Sequence, residues 1–355
     1  MTRFRSRFAL SLTGAILASC TPRAGGRATA TGAVGPALGV EEQQEAARAA
    51  EEARGKAARD KPAKIDRTLV ARAALPFHGF NVKGHEPLAP DQLIRDLGRA
   101  DVVCIGEQHD SPHDHWAELR ILRGLLARAP MAGRVVGLGL EMVQQPYQQA
   151  LDRYSSYDSN SHELMADTEW AERWGYPFSY YQPMLELARR HHMAILALNA
   201  PSGLTHQIAK RGLESLDDEQ QKELPSLDLH DARHRAFFDQ DMRGHPDMPG
   251  RKRDMYAAQV VWDESMAAAA ARWLSRNFPA RQLVLYAGSS HCRQPAIVRR
   301  IRRRLDARVV SVRPLIAADG HIDPLDLAGY DYGFIMEPSG KAPAPGHGHV
   351  HVHAE

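Results

Sequence analysis

The stretch Asp101–Asp110, DVVCIGEQHD, runs from apolar residues straight into a glycine, a carboxylate and an imidazole. Its first five residues are β-branched or small and show no helical period, so they read as a buried strand. Gly106 would allow a sharp exit that sets Glu107 and His109 just beyond the strand's carboxyl end, where open α/β sheets place their ligands. Arg281–His291 repeats the pattern, with Leu283, Val284, Leu285 and Tyr286 followed by Gly288, two serines and His291. Between them VVGLGLE, residues 135 to 141, is a third apolar run ending in Glu141. If the three strands lie parallel, Glu107, His109, Glu141 and His291 converge. That set suits a divalent metal held by His109, Glu141 and His291, or a four-residue acid–base cluster. One G-x-x-H recurs by chance and one strand-end histidine can simply satisfy its own loop. Two such histidines in the same position point to a site.

The elements around these residues are readable in outline. After the first motif, DSPHDHW carries His113 and His115, and Asp114 is placed to cap an amphipathic helix over 117–129. A helical region begins near Pro146 and carries Tyr147 and Tyr154. Residues 169–190 hold Trp170, Trp174, Tyr176, Phe178, Tyr180 and Tyr181 ahead of a helix. Core packing is the plain reading of that cluster, and the wall of a pocket for a flat apolar ligand is the sharper one. Fourth and fifth strands are expected at 193–199 and 308–314, and a basic helix at 294–305. Residues 202–279 show no strand pattern and read as a helical insertion, ending in an amphipathic helix over 258–278. Its loop with His245, Arg251, Lys252 and Arg253 is either a solvated basic loop or a grip for propionates or another anion.

The ends have other tasks. Arg3, Arg5 and Arg7, the apolar run Phe8–Leu17 and the sequence LASC make a secretory signal over residues 1–20, and its end resembles the bacterial lipobox with Cys20 as the lipidated residue. Thr21 gives no acidic retention signal, so the expected location is exported, lipid-anchored and on the outer membrane facing the periplasm. Residues 21–64 carry too few large hydrophobes for a core and read as a disordered tether. The tail 337–355 reads as disordered, with His347, His349, His351 and His353 alternating along it. A formal net charge of +2 argues against a nucleic-acid surface. Cys104 and Cys292 are expected as buried free thiols, with a disulfide between them as the alternative in an oxidising compartment. No G-x-S-x-G is present, which disfavours a covalent serine mechanism.

Six segments in order, GEQHDSPHDHW, GLEMVQQPYQQALDRY, TEWAERWGYPFSYYQPMLELAR, LALNAP, AQVVWDESMA and YAGSSHCR, resemble the ChaN-like haem-binding lipoproteins of the Tiki and erythromycin-esterase superfamily. The resemblance spans about residues 95 to 315. It implies an α/β fold, a mixed and mostly parallel sheet flanked by helices, filling a domain over 65–336 with a helical cap at about 202–280. It implies haem as cofactor, with His109, His115, Tyr147, Tyr181, His245, Arg251 and His291 as candidate contacts and Tyr154 or Tyr180 as further phenolate donors. Its other branches imply metal-dependent hydrolysis by Glu107, His109, Glu141 and His291. The function expected is a membrane-anchored haem-binding lipoprotein of haem and iron uptake, with a metal-dependent hydrolase as the alternative. Expected partners are haem, the membrane and a second copy of the chain.

Overall fold

The structure, a computed structural model, describes residues 65–243, 251–317 and 321–338. The signal, the tether, His245 and the histidine-rich tail beyond residue 338 lie outside them, as does the side chain of Arg251, whereas Glu337, expected in the tail, donates its N–H to Pro76 O. Eight strands form one sheet in the order β2-β1-β8-β7-β3-β6-β4-β5. They are β1 (Phe77–Asn81), β2 (Glu86–Leu88), β3 (Val102–Glu107), β4 (Val135–Gln144), β5 (Ile195–Asn199), β6 (Arg281–Gly288), β7 (Val309–Ile316) and β8 (Tyr332–Met336). From β8 to β5 every neighbouring pair is parallel, and only β1 runs antiparallel to its neighbours. The expected mixed, mostly parallel sheet is therefore present.

The middle strands carry nearly unbroken apolar runs because helices cover both of their faces. β3 is buried at all six positions, and Leu283, Leu285, Val309 and Leu198 pack with Met266, Trp273 and Leu274 of the helix Arg251–Ser275. Each such side chain contributes about 1.5–3 kcal/mol when fully buried. The same long helix is the floor on which Leu204 and Ile208 of helix Ser202–Arg211 pack, through Ala258 and Val261. No helix among the described residues is long and apolar enough to cross a membrane.

Several local expectations change. Glu107 is the last residue of β3 and does not lie beyond it. Gly106 makes no turn; a Cβ there would meet the ring of Tyr330 at 3.0 Å and the backbone of Ser289 at 3.1 Å, so the missing side chain makes room for packing. β4 continues past Glu141 to Gln144, because Met142 and Val143 are buried, with a register irregularity against β5. Asp114 lies inside helix Pro112–Arg128, and Ser111 is its cap, accepting the Asp114 N–H. The basic segment after His291 is a π turn, Gln294–Val298, and one short helix, Arg299–Arg302. Cys104 and Cys292 form a disulfide. The turn after β6 folds Cys292 back beside the neighbouring strand, leaving Cα atoms 5.5 Å apart, within the span a disulfide bridges.

Candidate functional site at the strand ends

Strand register assembles the site. β6 lies between β3 and β4, Glu107 pairs with Gly288, and Leu140 pairs with Tyr286, so Glu107, Gly288 and Glu141 reach the same level of the sheet. The turn that follows is held by Ser289 N–H donating to Glu107 O and His291 N–H donating to Gly288 O, each at 2.9 Å. Gly288 sits at the centre. Its N–H donates to Glu141 Oε2 at 2.6 Å, and a Cβ there would come 3.0 Å from His109 Nε2 and 3.6 Å from Glu141 Oε2. Glu107, His109, Glu141 and His291 thus share one neighbourhood, built around a residue that must lack a side chain.

Two histidine–carboxylate units flank that point. Glu107 Oε1 accepts from His109 Nδ1 at 2.7 Å and from the Tyr181 hydroxyl at 2.5 Å. Burial would raise the Glu107 pKa, but attraction to His115 and the His109 hydrogen bond outweigh it and bring it down to about 2. Burial opposes a charge on His109, yet the Glu107 hydrogen bond and the charges of Glu107 and Glu141 raise its pKa. Burial pushes the Tyr181 phenol well above its ordinary value, with Glu107 adding to it, so Tyr181 is a neutral donor. In the second unit, His291 Nδ1 donates to Asp263 Oδ1 at 2.6 Å while Nε2 faces Glu141 Oε1 at 3.4 Å. Burial acts to lower the His291 pKa, but Glu141 and Asp263 together push it up to about 9. Asp263 also takes His234 Nε2 at 2.8 Å on its other oxygen. It is held ionised against burial by His291 and His234.

The aromatic segment forms the outer side. Trp174 meets the His109 ring edge-on at 4.7 Å and Tyr176 lies 5.2 Å from it. Arg173, the residue before Trp174, lies over the Tyr147 ring at 4.7 Å, so Tyr147 and His109 flank the same short helix, Trp170–Arg173. Tyr147, Trp174 and Tyr176 are half-buried, and the His109 side chain is 14% exposed. Tyr181 and His115 are fully interior, and Tyr154 is buried beneath Arg189. Tyr180 is half-buried and stacks on His115.

A family model described as haem-binding uptake, Tiki superfamily, ChaN, matches residues 93–301, more than half of the sequence. The chain belongs to this family. A solved structure described as cofacial haem binding to ChaN of Campylobacter jejuni superposes with a TM-score of 0.58 at 17% identity, over 73% of this chain and 96% of that one. At that identity the likeness establishes the fold. An open-conformation mutant of the erythromycin esterase EreC aligns with a TM-score of 0.41 at 13% identity, over 76% of this chain and 81% of that one, too loosely to carry an argument. No curated protein matches the chain.

In this ChaN-family chain both G-x-x-H motifs fall inside the matched span. The proposed metal trio of His109, Glu141 and His291 is not drawn together as one ligand set. Among the described residues, the His, Cys, Asp and Glu ligand atoms that gather within 4.8 Å of one another belong to Glu107, His115 and Glu118. Sequence reasoning missed Asp263, His234, Gln259 and Glu118. Gln259 and Asp263 stand four apart on one helix face and both meet His291 Nδ1, at 3.2 and 2.6 Å. That spacing was the available signal.

Proposed function

We propose that this ChaN-family chain binds haem at the outer side of the strand-end cluster, against His109, Trp174, Tyr176 and Tyr147. The observation that carries the reading is the packing of Trp174 and Tyr176 on a histidine whose Nδ1 is already engaged by Glu107. A carboxylate on Nδ1 fixes the ring and leaves Nε2, beside Gly288, as its ligating atom, which is the arrangement of iron-ligating histidines. The residues present fit the group: half-buried aromatic faces for the macrocycle, an imidazole and the Tyr147 phenol as donors, and the guanidinium of Arg173 beside them for a propionate. Bound haem supplies a ferric iron, for which phenolate and imidazole are fitting ligands. Haem titration of the full chain, followed by absorbance, tests this. Saturable binding that Trp174→Ala weakens by roughly tenfold or more is expected. Binding equal in both proteins would refute the location.

The setting inferred from the tripartite signal and the family description is export, anchoring of Cys20 in the outer membrane facing the periplasm, and a part in haem and iron uptake. One observation favours a second reading, hydrolysis. Asp263, His291 and Glu141 form a buried carboxylate–imidazolium–carboxylate row whose far end meets the Gly288 N–H, and this row can move a proton. Turnover of an ester or peptide that His291→Asn abolishes would establish that reading.

A further inference from the structure

Haem binding leaves the inner half of the cluster unexplained. Behind Glu107, helix Pro112–Arg128 presents His115 and Glu118, three residues apart, into the end of β3, and neither has any exposed surface. His115 Nδ1 lies 2.9 Å from Glu118 Oε2 and 3.7 Å from Glu107 Oε2. Its Nε2 is 3.2 Å from the carbonyl oxygen of His109, which can only accept, so Nε2 carries a proton. Nδ1 is therefore the ring nitrogen that faces the two carboxylates. Glu107 Oε2 and Glu118 Oε1 are both buried without a hydrogen-bond partner among the described residues. The ion pairs of these two carboxylates come from histidines alone, with no lysine or arginine among the described residues reaching either. One imidazole nitrogen and two carboxylates thus face one another in the interior, an arrangement that needs a shared proton or a cation among them.

We propose that Glu107, His115 and Glu118 form a buried site for one divalent first-row metal ion, with zinc as the representative. Metal binding releases any proton shared at Nδ1, and the two carboxylates and neutral imidazole that result carry two negative charges, which such an ion balances; a nitrogen with carboxylate oxygens is a ligand set it accepts. The outer contacts already match what metal ligands require. Nε2–H of His115 is held by a backbone carbonyl, and the other oxygen of Glu107 is fixed by Tyr181 and His109. This site is distinct from the His109, Glu141 and His291 trio, does not depend on haem, and is closed to solvent. Its ion is loaded as the chain folds and ties β3 to the following helix.

The test uses the full chain, purified without a metal column, exposed to zinc and dialysed against a weak chelator that strips the alternating histidines of the tail. The wild type is expected to keep about one zinc per chain until urea unfolds it. Glu118→Gln is expected to hold zinc roughly tenfold more weakly or worse. Should Glu118→Gln fail to fold, X-ray absorption at the zinc edge of the wild type decides, with a nitrogen and oxygen shell containing a single imidazole expected. Zinc retention equal in wild type and Glu118→Gln would overturn the site and leave Glu107, His115 and Glu118 sharing protons. So would a shell with several imidazoles, or loss of the zinc on replacing His347, His349, His351 and His353 with alanine.

Discussion

Replacing Asp263 with asparagine removes the charge that lies between two imidazoles, 2.6 Å from His291 Nδ1 and 2.8 Å from His234 Nε2. The His291 pKa, pushed from 6.5 to about 9, corresponds to roughly 3 kcal/mol of preference for the imidazolium in the folded chain. The lowered pKa of Asp263 reflects the same attraction and is not added to it. Because the folded value lies above the unfolded one, this stabilisation is complete below about pH 6.5 and is lost as pH rises through about 9. In Asp263→Asn, His291 keeps the Glu141 charge at 3.4 Å but loses the charge of Asp263, so the pH-dependent part should shrink. Its loss should also lower stability near neutral pH by roughly 3–5 kcal/mol, as expected when one partner of a buried ion pair is removed. Urea denaturation between pH 6 and 9.5 measures both. His109, also raised, titrates in the same direction in both proteins, so the difference between the two curves reports the charge of Asp263 against the imidazoles it faces. A wild-type curve no steeper than that of Asp263→Asn across this window would refute the charged His291.

Gly288→Ala places a methyl 3.0 Å from the His109 ring, so it should cost about 1–3 kcal/mol and weaken haem binding, read by melting and titration. Breaking the disulfide with Cys104→Ala and Cys292→Ala should lower stability by about 2–5 kcal/mol, because it closes a loop with a sequence separation of 188. Reduced and oxidised wild type that melt alike would contradict that. Cys20→Ser should leave the precursor unprocessed or release the chain from the membrane fraction, and unchanged partitioning would argue against the anchor.

Much of the site could be read in the sequence because the parallel strands that carry it are buried on both faces and stand out as apolar runs. β1 and β2 could not. FHGFN and EPL mix histidine, glycine, asparagine and proline, and β1 takes its register from β8, which comes from the far end of the domain. The convergence of Glu107, His109, Glu141 and His291 followed from residue type at strand ends. Their charge states did not, since these depend on Asp263, 28 residues from His291 and on a helix whose facing is set only when it packs on the sheet. The state of Cys104 and Cys292 was ambiguous for the same reason: pairing required the register of β3 against β6. Glu118 looked like one more polar helix residue, yet it is fully buried because helix Pro112–Arg128 presses that face onto Glu107.

The central claim is that the two strand-end histidines serve one ligand site, His109 at its wall and His291 behind it through Glu141 and the Gly288 N–H. Haem affinity of His109→Ala, His291→Ala and the double variant, measured on folded protein in one titration series, tests it most directly. The claim predicts that each single change weakens haem binding and that the double change weakens it little further, because groups acting as a unit are non-additive. Wild-type haem affinity in both single variants, or two losses that simply add, would contradict it.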